Sequence, residues 1–492
     1  MRYISTRGQA PAVDATEAII KGLAQDGGLY VPEELPAFFP DNLAKLDYAA
    51  VAKKIFALYL SSFSGREISN LVKAAYNSNN FPAGEVGMVS LGDSEVLELW
   101  HGPTAAFKDM ALQALPHLLL RSLAKSGGEK EIVILVATSG DTGKAALEGF
   151  RDVPHTKIIV FYPEDGVSQI QELQMNTTGG ENTRVIGVLG NFDDCQNGVK
   201  QIFADQELKR QMAEQGYYFS SANSINWGRL LPQIVYYYYG YGRMVAKKRI
   251  AMGEPIEIAV PTGNFGNILA AWYARRMGLP VSRFYCASNC NNVLTEVINE
   301  GTYNRLRPFH KTISPSMDIL ISSNFERFIF DISGNDSFYT GRAFELLQAE
   351  GKFYIEAGLR AKYAELMVGG YAEEDECRAA IRDAFEQYHY LLDPHTAVGY
   401  AVANKLRAAS PGGDKLLLVS TASPYKFPAA VLEALGKLPE GREELALPAV
   451  LAKLSGTPVP KNLAALAALP IRHQQVCATA EMTEMIRNEL GL

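Results

Sequence analysis

Cysteine is scarce in this chain. Its 492 residues include five, Cys195, Cys286, Cys290, Cys377 and Cys477. They are too few and too scattered for a disulfide framework, and the odd number leaves at least one thiol unpaired. This excludes a small disulfide-stapled secreted scaffold and favours a reducing compartment. Cys286 and Cys290 stand four apart, but with no second pair and no nearby histidine they form no zinc pattern, so no metal is expected. Long apolar runs are missing too: none approaches the roughly 20 residues that a membrane helix needs. The opening Met1–Gly8 has one arginine before position 7 and no apolar stretch behind it, so it does not read as a secretory leader. The expected location is cytoplasmic. An excess of positive charge is also lacking, with 47 Lys+Arg against 54 Asp+Glu and a net charge of −7. A surface built to neutralise a phosphate backbone is therefore unexpected, and small molecules are the expected partners rather than nucleic acid or membrane. There is no internal repeat and no low-complexity tract.

What is present is an ordinary globular composition, 47% hydrophobic and 21% charged, in a chain long enough for two to four domains at roughly 150 residues each. Residues 1–95 show amphipathic helical patterns such as Asp47–Leu60, punctuated by Pro32, Pro36 and Pro40, and predict a mostly helical N-terminal domain. From residue 96 short apolar runs alternate with helical segments. Glu131–Thr138, Lys157–Tyr162, Arg184–Val188, Glu257–Val260 and Lys415–Ser420 read as strands, with helices expected at Lys144–Phe150, about Asp194–Glu214, and Ile268–Met277. Strands that are apolar without alternation, each followed by a helix, predict a parallel sheet covered on both faces. The pattern divides into α/β lobes at 96–255 and 256–430, followed by a helix-permissive appendage at 431–492. In such sheets ligands bind where strands end and turns begin.

Three turns invite chemistry. Pro261–Asn267 (PTGNFGN) lies between a strand and a helix, and its two glycines let backbone N–H groups converge at a positive helix end, the geometry of a phosphate cradle. Thr138–Lys144 (TSGDTGK) repeats the strand–turn–helix order and could seat another anion; alternatively Ser139 or Asp141 merely caps the helix. It is not a nucleotide P-loop, because two residues rather than four precede its Gly-Lys pair and Ala145 follows the lysine. In the third, His101–Asp109, Lys108 lies among Ala106, Phe107, Met110 and Ala111 near a helix start, where desolvation and the helix dipole both disfavour its charged form. A neutral lysine amine is what a Schiff base requires. Elsewhere, the run Tyr236–Tyr239 covers every side of a helix and reads as packing with hydroxyls at its edges, Asp193–Asp194 as acids complementing a helix start, and His101 and His395 as turn or cleft residues rather than bases.

Two phosphate-seating turns and an activated lysine suggest pyridoxal phosphate acting on a phosphorylated substrate. At these residues the chain resembles the threonine synthase family of pyridoxal-phosphate enzymes. The matches run nearly end to end: Ser5–Gly8, Asp26–Pro32, His101–Thr104, Phe107–Asp109, Phe192–Gln196, Asn223–Asn226 with Arg229, Gly263–Asn267, Ser314–Asp318 and Asp393–Thr396. The resemblance implies an α/β chain of the tryptophan-synthase-β-like fold, with two parallel-sheet lobes and a mostly helical N-terminal region. It further implies that Lys108 forms the Schiff base with pyridoxal 5'-phosphate and then shuttles protons. Gly263, Asn264, Phe265, Gly266 and Asn267 hold the cofactor phosphate, Thr421 meets the pyridine nitrogen, and Asp141 lies near the ring. The implied reaction converts O-phospho-L-homoserine and water into L-threonine and phosphate, the last step of threonine biosynthesis. The substrate phosphate should meet hydroxyls and cations, for which Ser139, Thr142, Lys144 and Arg229 are the candidates on chemical grounds.

Departures from the family pattern are visible. Thr421-Ala422-Ser423-Pro424 stands where a histidine is common in place of Ser423, and Trp100 and Ala105 replace an expected Phe and Leu, which reads as a compensated packing change. The rival readings are a phospho-lyase releasing 2-oxobutanoate and phosphate, a nucleotide-binding phosphotransferase using Ser139–Lys144, and an inactive binding homologue. A monomer and a homodimer fit the sequence equally.

Overall fold

The computed structural model describes residues 1–127, 130–410 and 413–492. Two sheets organise it. The larger has six strands in the order Met367–Tyr371, Val281–Ser288, Ile256–Pro261, Lys415–Ser420, Ser94–Glu98 and Gly87–Leu91. All neighbours are parallel except the last pair, an antiparallel hairpin. The second has five parallel strands in the order Gln475–Ala478, Thr183–Leu189, Thr156–Pro163, Glu131–Ala137 and Tyr217–Ser221. Its register places Ile134 between Ile158 and Ser220. The apolar runs without alternation are explained by burial on both faces: every residue of Ile256–Pro261 is buried, as the helices on either side of a parallel sheet require.

The expected strands all form, each within a residue or two of its expected ends. The expected long helix at 194–214 is two helices, Phe192–Ala204 and Gln206–Glu214, because Asp205 leaves the helical conformation and its carboxylate accepts from Leu208 N. Asn191 and Asp194 cap the first of them reciprocally; the side chain of Asp193 lies outside the described residues.

Three features differ from expectation. The N-terminal region carries, besides the helix Tyr48–Tyr59 started by an Asp47 cap, a three-stranded antiparallel sheet of Val13–Asp14, Arg2–Ser5 and Tyr30–Pro32. These strands have two to four residues, too short to show a period. The hairpin of Gly87–Leu91 and Ser94–Glu98 crosses the expected boundary at residue 95 and belongs to the larger sheet. The C-terminal segment, expected as a helical appendage, contributes the edge strand Gln475–Ala478 to the second sheet. Its last helix, Met482–Leu490, buries Met482 and Ile486 against the cluster of Val133, Ile186 and Cys195.

The helix Trp227–Ala246 joins these parts, packing on Gly266–Arg276, Tyr48–Tyr59 and the short helix Asp109–Leu112. Tyr236, Tyr237, Tyr238 and Tyr241 on it are fully buried. Their hydroxyls all find acceptors, as buried phenols must: Tyr238 donates to Phe38 O at 2.6 Å and Tyr241 to Glu254 O at 2.9 Å. Residues 5–7, which opened the list of family-like matches, prove to be ties. Thr6 and Arg7 donate to Glu326, and Ser5 donates to Asp26. The neighbouring Arg327, wholly buried, donates to the carbonyls of Tyr30, Ser224 and Ile225. Among the described residues no helix is long and apolar enough to cross a membrane.

One close approach fixes the helix that carries the Thr138–Lys144 turn. A Cβ on Gly149 would stand 2.1 Å from the carbonyl oxygen of Leu112, at the end of the helix that Lys108 begins. Gly149→Ala must therefore push these two helices apart. We expect a loss of about 1–3 kcal/mol of stability, read as a lower denaturant midpoint with an unchanged m-value.

Candidate active site

The turns singled out in the sequence meet at the carboxyl ends of the strands, around one cleft of about 1040 Å³. Lys108, Ser139, Thr142, Arg229, the Gly263–Asn267 turn and Thr421 all line it. Among the described lining residues the charged side chains are Lys21, Lys108, Lys200, Lys209 and Arg229 against the single carboxylate of Asp318. A chain that is acidic overall thus presents a cationic cleft, which suits an anionic ligand.

Lys108 sits at the start of the helix Asp109–Leu112, on a loop held from several sides. The Asp109 carboxylate accepts from Thr104 N at 2.8 Å and Thr104 Oγ1 at 2.7 Å. Burial raises Asp109 to about 6, with the Thr104 bonds opposing. Phe107 N donates to Thr421 O at 2.8 Å and Ala106 bridges Ala422, so the Lys108 loop is stitched to the segment leaving strand Lys415–Ser420. The Lys108 side chain is 11% exposed; its Nζ lies 3.2 Å from Ser316 Oγ and 3.5 Å from Asp141 Oδ2. Burial lowers its pKa to about 8; Asp141 opposes this, and the cations of Lys426 and Arg229 add to it. The desolvation anticipated from the sequence leads, and neighbouring cations reinforce it.

Asp141 is the hub of this corner. Its carboxylate accepts from Lys426 Nζ at 2.6 Å, Gln171 Nε2 at 3.0 Å and Ser316 Oγ at 3.2 Å. Although burial acts to raise it, Lys426 and Lys108 hold it well below the usual carboxylate range. Neither Ser139 nor Asp141 caps the helix Asp141–Phe150. Thr138 Oγ1 does so instead, accepting from Gly140 N and Gly143 N at 3.0 and 2.9 Å. Gly140 takes φ +126°, a value open to glycine alone. That leaves Ser139 and Thr142 to face the cleft.

Lys144 does not join them. It points away from the cleft into an internal pair with Glu148 Oε1 at 2.5 Å and Thr178 Oγ1 at 2.9 Å. One helical turn past the loop, its side chain is carried to the packed face, a direction that spacing from Gly143 alone does not reveal. Arg229 is buried, donates to Ala222 O at 2.5 Å, and is lowered to about 10 by burial. Among the described residues no carboxylate pairs with it, which leaves its remaining donors for an anion.

The Gly263–Asn267 turn has the features a phosphate needs. Phe265 adopts φ 62° at the start of helix Gly266–Arg276, which has no side-chain cap. The Phe265 ring packs on Phe325 and Phe328, so only its backbone faces the cleft. Tyr236 and Tyr237 both donate to Asn267 Oδ1, at 2.5 and 2.6 Å, and the buried Asn267 Nδ2 is left without a partner. The tyrosine run, read from sequence as packing, thus also braces this turn. With an orphaned amide, an uncapped helix start and Lys108 on the same cleft, the residues fit pyridoxal phosphate.

Sequence reasoning assigned no role to Ser316, Asp393 or Lys426; His395, read as a turn or cleft residue, lines the cleft. Ser316 and the Asp393–His395 pair lie within matched motifs. His395 Nδ1 is 2.9 Å from Asp393 Oδ1 and its Nε2 accepts from Ser316 N at 3.1 Å, so the ring bridges Asp393 and the Ser316 loop. Lys426, between Tyr425 and Phe427 just past a buried strand, has the apolar setting that drew attention to Lys108. His101 pairs with Glu98 at 2.9 Å and stacks on Trp100.

Comparison with known proteins follows this geometry. Three family descriptions match successive stretches: threonine synthase N terminus over residues 2–76, pyridoxal-phosphate dependent enzyme over 97–364, and threonine synthase C-terminal over 396–486. The chain is 38% identical to the threonine synthase of Pseudomonas aeruginosa over 483 residues, covering 96% of this chain and 98% of that one. It is 40% identical to human threonine synthase-like 1 over 438 residues, but spans only 58% of that protein's length. Among solved structures, pyridoxal-phosphate-bound threonine synthase from Brucella melitensis aligns over 100% of this chain and 98% of that one, with a TM-score of 0.86 and 34% identity. The yeast enzyme aligns over the same shares with 0.87 and 33%.

A Cβ on Gly263 would stand 2.8 Å from the carbonyl oxygen of Ser316, so Gly263→Ala must shift either the turn or the Ser316 loop. We expect cofactor affinity to fall about tenfold, the size of a strain near 1–2 kcal/mol, measured by titrating the stripped protein with pyridoxal phosphate.

Proposed function

The chain belongs to the threonine synthase family, and from that premise we propose that it converts O-phospho-L-homoserine and water into L-threonine and phosphate with pyridoxal phosphate as cofactor. The observation that carries this reading is the single cationic cleft in which Lys108 Nζ, the orphaned amide of Asn267 and the Ser139–Thr142 turn face one ligand space. When bound, pyridoxal phosphate supplies an electron sink that acidifies the protons on the substrate's α and β carbons.

The protein's own groups do the rest. The Gly263–Asn267 turn would hold the cofactor phosphate with backbone N–H groups and the Asn267 amide. Thr421, at the end of strand Lys415–Ser420, would offer the ring a neutral hydroxyl in place of a carboxylate, which suits elimination of phosphate from the γ carbon. Lys108 would anchor the cofactor, and its amine would take and return protons at the substrate's α and β carbons. Burial and the cations of Lys426 and Arg229 lower it to about 8, near the range in which one group can serve as base and acid in turn. Asp141 orients Lys108 directly and through Ser316. Arg229, Ser139 and Thr142 bind the anionic ends of the substrate. Lys144, tied to Glu148, is withdrawn from that set. The same tie removes the cation on which a nucleotide-binding reading of Ser139–Lys144 depends.

We further propose a cytoplasmic location, supported by five cysteines that are all free.

The purified protein should be yellow, and borohydride should abolish its visible band and fix a pyridoxyl group on Lys108. Lys108→Ala should lose that band together with a factor on the order of 10²–10⁴ or more in turnover, while its circular dichroism stays native. Incubation with phosphohomoserine should release L-threonine and phosphate in equal amounts. 2-Oxobutanoate as the main product would replace this assignment with the phospho-lyase reading.

A further inference from the structure

Lys426 is wholly buried, yet it reaches no solvent and lies outside the residues that line the cleft. Its ammonium has two partners, Asp141 Oδ1 at 2.6 Å and the carbonyl of Thr104 at 3.1 Å. Asp141 is also the carboxylate nearest to Lys108, through its other oxygen at the longer distance of 3.5 Å. Two lysines therefore compete for one negative charge, and Lys426 holds the shorter contact.

The remaining groups around Lys108 do not restore the balance. Arg229, from helix Trp227–Ala246, adds a second positive charge on the cleft side. His395, from helix Pro394–Ala409, lines the cleft, accepts from the Ser316 backbone and is paired with Asp393 through its other nitrogen. Asp109, the adjacent acid, spends both oxygens on Thr104. Gln171 and Ser316 donate to Asp141 and bring no charge.

We propose that Lys426 is a positioning residue for the reaction: by occupying Asp141 it keeps that carboxylate from compensating Lys108, so that the amine destined for the Schiff base gives up its proton more readily. Its place supports a second function. Because it also donates to Thr104, it fixes the loop from which Lys108 projects, and one side chain thereby sets both the position and the protonation of the amine. The proposal rests on Lys108 being the Schiff-base lysine of the preceding section.

Its sign follows from charge alone. Removing Lys426 frees Asp141 to pair with Lys108 and favours the ammonium; removing Asp141 deprives Lys108 of the carboxylate nearest to it and favours the amine. The test is competitive acylation of Lys108 in the full-length, cofactor-stripped protein, followed by mass spectrometry across pH, with the rate of Schiff-base formation on adding pyridoxal phosphate as a parallel reading. The wild-type midpoint should lie near pH 8. Lys426→Met should raise it by about one pH unit, making Lys108 about tenfold less reactive at pH 7, Lys426→Arg should leave it near the wild type, and Asp141→Asn should lower it. If Lys426→Met does not fold, Lys426→Gln, a neutral side chain that can still donate to Asp141, carries the test. Its midpoint should also rise above that of the wild type.

A midpoint that stays within about 0.3 pH unit of the wild type in whichever of Lys426→Met and Lys426→Gln folds would overturn the proposal and reduce Lys426 to a packing residue. Acylation needs no cofactor. A protein that titrates as expected but never forms a Schiff base would leave this proposal's electrostatics standing and would refute the cofactor assignment instead.

Discussion

A lysine amine kept out of water beside a carboxylate it cannot fully claim is the constraint around which this molecule is arranged. Burying a charge is expensive unless it is paired and hydrogen-bonded, and one corner of the cleft buries Asp141 with two lysines. The arrangement holds only because each group arrives on a different, rigid element. Lys108 comes from the loop after strand Ser94–Glu98, Lys426 from the turn after strand Lys415–Ser420, and Asp141 from the helix after strand Glu131–Ala137. The first two strands are neighbours in the larger sheet and the third lies in the smaller one. The corner is therefore also the seam at which the carboxyl ends of both sheets face each other. Segments remote in sequence make up the seam's support: the N-terminal residues tied to Glu326, and the C-terminal strand that completes the smaller sheet.

The parts that could be read from the sequence are those with a strong local signature. Apolar runs such as Glu131–Ala137 and Lys415–Ser420 became strands because burial on both faces writes a continuous pattern. The Gly263–Asn267 turn was legible because a strand, two glycines and a helix in succession constrain the backbone directly. What escaped was non-local. The hairpin at Gly87–Glu98 joins strands more than 300 residues away, a pairing that no window of sequence records. The strand Gln475–Ala478 is four residues long and follows a stretch whose composition suits helix. Lys144 is a cation beside two hydroxyls in the sequence, but its direction is set by its place on the helix, which carries it to Glu148 and Thr178. Lys426 has no local signature, because what marks it is its contact with Asp141 from a distant segment.

Those departures turn out to be neighbours. Ser423 N donates to Ala105 O at 3.0 Å, while Ala105 holds φ 57° and is buried. Trp100 donates to Ser420 Oγ at 2.9 Å and stacks on His101, which in turn pairs with Glu98. Three exchanges scattered over more than 300 positions thus lie on the two segments that flank Lys108.

Burial leads the shift of Lys108 and Lys144, and what separates the buried lysines from one another is the negative charge each one finds. Lys108, Lys144 and Lys426 are all withdrawn from solvent to a similar degree, with side-chain exposures of 11%, 9% and 0%. Desolvation alone would make each of them a poor ammonium ion. Lys144 recovers its charge from Glu148 at 2.5 Å and a hydroxyl, against which burial still lowers its pKa. Lys426, the most deeply buried, takes the close contact with Asp141 and a backbone carbonyl. Lys108 alone is offered a shared carboxylate at a longer distance, a hydroxyl that itself donates to that carboxylate, and a facing guanidinium. Exposure would rank Lys426 as the most reactive amine; counting the negative charge available to each selects Lys108, the one that also opens onto the cleft. A buried lysine near a glycine turn is common enough to mislead. A buried lysine left without a carboxylate of its own, beside an anion site, is the narrower feature that points to function.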